Sequence, residues 1–159
     1  MISAHKAVSG ALTTALLLGS CGDTQTEYGP RTATHEYLSE VKSILQELRV
    51  LEHHIGQAVP QDTVAAEVIL PLIENRFRPK LQTLDQRARQ LSVDARLDTV
   101  HQQLLTYLAL RLKAFDKVIL AVRGGRPEML EEYYALLDSA DAVGRNLEEA
   151  ILAVSQRTR

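Results

Sequence analysis

The chain has 159 residues, 45% of them apolar and 4% aromatic, and its single cysteine excludes both an intramolecular disulfide and a cysteine-based zinc site. Eighteen Lys and Arg residues against twenty Asp and Glu give a net charge of −2, which argues against a general nucleic-acid-binding protein because such proteins carry a basic excess. The length predicts one folded domain, and a content of only eight Gly and five Pro disfavours a turn-rich all-β fold.

The first twenty residues have the pattern of a secretory signal. Lys6 supplies a positive charge, and residues 7–20 are apolar or small. These roughly 14 residues are shorter than the ~20 of a membrane-spanning helix, but they fit the hydrophobic region of a signal peptide. The stretch ends in Leu18-Gly19-Ser20-Cys21, which resembles the lipobox of bacterial lipoproteins. The resemblance implies cleavage after Ser20 and lipidation of Cys21, whose acyl chains would anchor the protein in the membrane.

The residues after the cysteine predict a location and a tether. Gly22 follows Cys21, whereas an Asp at this position resembles the inner-membrane retention signal of enterobacterial lipoproteins. The resemblance therefore implies the outer membrane of a bacterial cell envelope, with the protein facing the periplasm. Residues 22–33 are polar and contain Gly29-Pro30, so they predict a flexible tether.

Helical periodicity predicts four helices after the tether, at residues 34–58, 62–91, 94–123 and 127–156. Thr34 is the expected N-cap of the first helix. Pro71 and Pro79 interrupt the second, which we interpret as one kinked helix, with two shorter helices as the alternative. Gly124-Gly125 ends the third helix, and Pro127 is expected at the first position of the fourth.

The connections between these helices are three or four residues long, so consecutive helices must lie antiparallel. The predicted fold class is therefore all-α, an up-down-up-down antiparallel four-helix bundle. A homodimer of extended helical hairpins is the alternative, because the same apolar stripes would serve an intermolecular bundle.

Motifs for metal, cofactor and catalysis are absent from the sequence. No Glu-x-x-His pair, haem-attachment motif, nucleophile elbow or phosphate-binding glycine loop occurs. We therefore expect no metal site, no cofactor and no enzymatic activity. Arg111 interrupts an apolar line of the third helix and is expected to reach solvent through a buried stem. Ala140 and Gly144 lie on the core-facing line of the fourth helix, which favours close helix packing, with a ligand cavity as the alternative.

Two runs of opposite charge are candidate docking surfaces. Residues 76–90 contain five basic residues and one acid, and residues 128–149 contain seven acids and one base. Two ordinary solvated faces are the alternative interpretation. The candidate docking residues are Arg76, Arg78, Lys80, Arg87, Arg89, Glu128, Glu131, Glu132 and Asp138.

These features predict a membrane-anchored cell-envelope lipoprotein that binds another envelope protein or serves a structural role. In its anchor and architecture it is similar to the pilotins of secretion systems, which escort a channel subunit to the outer membrane. The alternative is a small-molecule carrier or sensor with a ligand cavity inside the bundle, near the kinked second helix. An exposed apolar groove favours the first function, and a closed cavity lined by small residues favours the second.

Overall fold

A computed structural model describes residues 30–58 and 66–157 of the chain. A π-helical turn (Ile73–Phe77) and a 3₁₀ turn (Ala95–Leu97) accompany the α-helices. The described residues contain no strand, which confirms the all-α prediction. The predicted signal peptide, Cys21 and the start of the second helix at Asp62 lie outside these ranges. The α-helices are α1 (Pro30–Ala58), α2 (Ala66–Leu72), α3 (Arg78–Arg89), α4 (Asp98–Arg123) and α5 (Met129–Arg157).

The first helix, α1, begins four residues earlier than predicted. Pro30 starts the helix, where a missing backbone N–H removes no intrahelical hydrogen bond. Thr34 lies one turn inside the helix with 3% of its surface exposed, so it is not the N-cap. Residues 30–33, predicted as the end of the tether, therefore form the first turn of α1.

The second helical segment runs without a gap from Ala66 to Arg89, and a π-helical turn lies between its two prolines. Proline lacks a backbone N–H and crowds the carbonyl four residues before it. In the π turn, the N–H of Arg78 instead donates to the carbonyl of Ile73, five residues back. The helical run thus continues across Pro71 and Pro79 with one wider turn rather than breaking in two.

Local signals set the two ends of α4. The N–H of Arg96 donates to the side chain of Asp94 at 2.9 Å, so Asp94 caps the 3₁₀ turn that leads into the helix. Gly125 adopts a left-handed conformation (φ 58°) after the last turn. The N–H of Arg126 then reaches back to the carbonyl of Ala121 at 3.0 Å, as in a Schellman motif. Because α5 begins only at Met129, the expected helical position of Pro127 is wrong, and this proline lies in the preceding turn.

The core is built from the apolar stripes of the long helices. Each large aliphatic side chain that is withdrawn from water contributes about 2 kcal/mol to folding. The side chains that fill the core include Val41, Ile44, Leu48, Phe77, Leu81, Leu84, Val100, Leu104, Leu108 and Leu147.

The fourth long helix, α5, lies close to α4, as its small residues predict. Ala140 is fully buried, and a Cβ atom added to Gly144 would lie 3.3 Å from Cε2 of Tyr107. A larger side chain at position 144 would therefore push the Tyr107 ring away.

Candidate functional site

The predicted basic docking residues lie on the π turn and α3, and four of the five form ion pairs within the molecule. The exception in the described part of the chain is Arg76, whose guanidinium carbon lies 5.9 Å from the centre of the Phe77 ring. The surface therefore carries less uncompensated positive charge than the sequence indicates. The ion pairs join Arg78 to Asp116, Lys80 to Glu47, Arg87 to Glu40 and Glu47, and Arg89 to Asp85.

The predicted acidic docking residues are only partly neutralised. Glu128 contacts Arg126 at 2.9 Å, and Glu132 contacts Lys117 of α4. Glu131 and Asp138 are exposed on α5, and neither forms an ion pair with another described residue. The structure brings no basic residue of the first run against an acid of the second within the described ranges. Docking at either run stays a prediction.

A pocket of about 330 Å³ lies between α1, α3, α4 and α5 and opens partly to solvent. Its lining includes buried core side chains such as Leu48 and Leu81, together with the exposed Gly56 of α1. Two polar residues, Glu52 and Arg111, stand in an otherwise apolar and aromatic wall. The lining residues are Leu48, Leu51, Glu52, Ile55, Gly56, Leu81, Arg111, Phe115, Tyr133 and Leu137.

The buried stem predicted for Arg111 is present, since Nε is withdrawn from water, but the head group reaches solvent only in part. Only 17% of its side chain is exposed, because carboxylates on both sides hold its head group. Its Nη2 lies 3.0 Å from Oε1 of Glu52, 2.7 Å from Oδ1 of Asp141 and 3.3 Å from the hydroxyl of Tyr107. Its guanidinium carbon lies 5.3 Å from the centre of the Tyr107 ring. Arg111 of α4 therefore links α1 to α5.

Burial changes the electrostatics of this corner of the pocket. It raises the pKa of Glu52 above its ordinary value of 4.5, and the neighbouring Arg111 opposes that rise. Burial likewise raises the pKa of the Tyr107 and Tyr133 hydroxyls. Both tyrosines therefore remain neutral hydroxyl groups at neutral pH.

A second, shallower groove of about 470 Å³ lies between α1 and α5. Arg49 of α1 contacts Glu148 of α5 there at 2.6 Å. Leu152, which lies at the same groove, exposes 60% of its surface. The groove thus combines an ion pair with an accessible apolar side chain. Its lining residues are Lys42, Leu45, Gln46, Arg49, Glu148, Ile151 and Leu152.

The histidines form no further centre in the described ranges. His101 Nδ1 lies 3.3 Å from the hydroxyl of Tyr37, whose pKa is raised to about 12 by burial and by the charge of Asp98. No group of three or more potential metal ligands occurs among residues 30–58 and 66–157. No helix in these ranges is both long enough and apolar enough to cross a bilayer.

The sequence indicated a ligand cavity near the second helix only as an alternative, and it did not identify the lining residues of this pocket or the pairing of Glu52 with Arg111. Glu52 follows the core residue Leu51 directly, and Arg111 precedes Leu112, so each flanks an apolar stripe. This position is typical of side chains at the edge of a helix interface. It indicates a candidate pair only once the fold is known to bring these two side chains, from α1 and α4, within contact distance.

In comparisons with known proteins, no family model, no curated protein and no solved structure matches the chain.

Proposed function

We propose that the chain is a lipid-anchored envelope protein that binds a small molecule between the helices of an up-down-up-down antiparallel four-helix bundle. The anchor rests on the lipobox-like sequence that ends at Cys21. Binding rests on the pocket between α1, α3, α4 and α5. The expected location is the outer membrane, with the bundle facing the periplasm.

The ion pairs between helices support the antiparallel arrangement. Glu40 of α1 pairs with Arg87 of α3. Glu47, which comes later in α1, pairs with Lys80, which comes earlier in α3. The same reversal relates the second helical segment to α4 and α4 to α5. The pairs are Glu74–Arg123 with Arg78–Asp116, and Arg111–Asp141 with Lys117–Glu132.

The pocket has the size and lining of a small-molecule site. Its volume of about 330 Å³ lies at the lower end of the roughly 300–1,000 Å³ typical of ligand pockets. Such sites combine apolar walls with a few fixed polar groups, and here the polar groups are Glu52 and Arg111. This pocket is the observation that carries the proposal, although it is partly open and lined by large side chains rather than closed and lined by small ones.

Gly56 provides a position at which access to the pocket can be tested. It lines the pocket in the last turn of α1 and is exposed, and a Cβ atom added there would meet nothing within 4 Å. A small side chain at this position should therefore leave the pocket accessible, whereas a large aromatic side chain is expected to cover part of it.

Binding is tested with the uncharged fluorescent probe N-phenylnaphthylamine and the purified full chain. Gly56→Phe places a ring at the rim of the pocket, and we expect it to abolish the fluorescence increase that the probe shows with the wild type. Gly56→Ala is the matched control, since it adds helix propensity but little volume, and it should retain binding. Equal fluorescence with wild type and both variants would contradict binding in this pocket.

The anchor is tested by metabolic labelling with a fatty acid and by membrane fractionation. We expect Cys21→Ala to abolish both acyl labelling and membrane retention, because the thiol that would carry the lipid is removed. A variant that is still labelled and membrane-bound would contradict the lipoprotein assignment without affecting the pocket.

The α1–α5 groove favours a second candidate function, the escort or docking of an envelope protein in the manner of a pilotin. Its exposed Leu152 is the kind of apolar anchor that protein interfaces use. Crosslinking in intact envelopes should then capture a stoichiometric partner that Leu152→Glu loses. Leu130→Glu, at an exposed position near the other end of α5, is the control and should retain it. Loss with both variants or with neither would contradict docking in this groove.

A further inference from the structure

We infer that the ligand of the pocket is an uncharged molecule with an apolar body and one hydrogen-bond acceptor. The inference rests on the proposed function and names the chemical class that the pocket would accept. It follows from the way in which the charges of the pocket wall are already paired.

Arg111 is the cation of the wall, and its Nη2 already contacts two carboxylates. Glu52 approaches it from α1 at 3.0 Å and Asp141 from α5 at 2.7 Å. The three groups together carry one positive and two negative charges. An anionic ligand would therefore meet an occupied guanidinium and two carboxylates that repel it.

A cationic ligand is disfavoured for a different reason. Glu52 is the one carboxylate among the lining residues, and Nη2 of Arg111 lies 3.0 Å from it, so the charges of the lining cancel. Moving a charged head group from water into an apolar site is unfavourable unless a counter-ion and hydrogen bonds compensate it. Asp141 lies outside the lining and is exposed to water, so the pocket itself provides no net negative charge for a cation.

Arg111 has hydrogen-bond donors left for a neutral head group. Its contacts with Tyr107, Glu52 and Asp141 all use Nη2. Among the described residues, neither the two N–H groups of Nη1 nor the buried Nε has an acceptor. A hydroxyl or carbonyl oxygen of a ligand can accept from Nη1, while an alkyl or aryl body packs against Leu81, Phe115 and the other apolar wall residues.

The test compares three probes with the same tail and different head groups: octanol, octanoate and octylamine, each titrated calorimetrically into the full chain at neutral pH. Gly56→Phe, in which the pocket is expected to be blocked, serves as the blank. Subtracting its heat signal removes the contribution of probe that partitions elsewhere on the protein. We expect octanol to bind at least about tenfold more tightly than either ion, which corresponds to about 1.4 kcal/mol. Equal or tighter binding of octanoate or octylamine would overturn the inference. If no probe distinguishes wild type from Gly56→Phe, the proposed function itself fails.

A charge-neutralisation test separates the pairing argument from simple hydrophobicity. In Glu52→Gln/Asp141→Asn the guanidinium of Arg111 loses both carboxylates, so octanoate should gain about tenfold in affinity. Glu148→Gln removes a carboxylate outside the pocket and should change nothing. Circular dichroism checks the fold of each variant. If the double variant unfolds, the single variant Asp141→Asn, which changes an exposed carboxylate, replaces it. A folded variant without any gain for octanoate would overturn the inference.

Discussion

At the scale of single residues, Arg111 connects three helices through one half-buried cation. Its Nη2 contacts Glu52 of α1 and Asp141 of α5, and its guanidinium lies over the Tyr107 ring of its own helix. Partly buried charges of this kind are held by their partners, because removing one partner leaves the other poorly solvated. Arg49, in contrast, contacts Glu148 at the surface, with 70% of its side chain exposed.

This difference predicts unequal costs of removing the two arginines. Arg111→Met should lower the free energy of unfolding by about 2 kcal/mol, because Glu52 and Asp141 lose their shared partner. Arg49→Met should cost less than about 1 kcal/mol, as is typical of an exposed ion pair. Urea denaturation of both variants measures the difference. Equal costs would contradict the structural role assigned to Arg111.

The pKa of Glu52 predicts a pH dependence. A carboxyl group whose pKa is raised on folding stabilises the native state below its ordinary pKa, here 4.5, and this contribution is lost as the pH rises through the raised value. The stability of the wild type relative to Glu52→Gln should therefore decrease as the pH rises above 4.5. Thermal unfolding of both proteins over this range measures it. A difference that is constant or increases with pH would contradict the burial of Glu52.

A second glutamate provides a control of opposite sign. Hydrogen bonds from Lys80 and Arg87 lower the pKa of Glu47 below 4.5. Its contribution to stability is then present above its ordinary pKa and is lost as the pH falls through the lowered value. Relative to Glu47→Gln, the wild type should therefore lose stability on acidification rather than on alkalinisation.

At the scale of helices, the π turn is the feature that positions the second segment. A π-helical turn holds one more residue than the corresponding α-helical turn, so it acts as a local insertion. It allows Phe77 and Leu81 to remain buried together although they follow a proline-interrupted stretch. Asn75, near the middle of the turn, and Thr83, in α3, are both exposed.

Deleting one or the other of these residues tests this interpretation. In a Pro79→Ala background, deletion of Asn75 should convert the π turn to α-helix and keep the buried faces aligned. Deletion of Thr83 should rotate the later residues of α3 by about 100° and move Leu84 and Ala88 out of the core. The second deletion should therefore be several kcal/mol more destabilising by urea denaturation, on the order of one large core truncation. Equal loss of stability would contradict the insertion-like role of the π turn.

The elements were predictable from sequence where local chemistry decides them. The 3.6-residue period located the long helices. The predicted boundary at residue 94 coincides with the cap of the 3₁₀ turn that precedes α4, and Gly124-Gly125 marked the end of α4. The start of α1 was missed because Thr34 has the chemistry of a cap, whereas its burial in the folded protein places it inside the helix. The π turn was missed because two prolines predict an irregularity but not its geometry.

At the scale of the whole molecule, the candidate site depends on how helices face one another. The pocket brings together residues 48–56 of α1 with residues far along the chain in α3, α4 and α5. Apolar residues such as Phe115 and Leu137 were predictable as core-facing. Periodicity could not show that these residues surround an opening instead of closing it, since that depends on the spacing between the helices.

The most direct test of small-molecule binding between the helices is a methyl-selective NMR titration of the full chain with octanol. The predicted result is a set of shifts confined to Leu and Ile methyl groups that line the pocket, with none at Ile151 or Leu152. Shifts centred on Ile151 and Leu152 would instead place binding in the α1–α5 groove, and a spectrum without saturable shifts would contradict ligand binding. The methyl groups expected to shift belong to Leu48, Leu51, Ile55, Leu81 and Leu137.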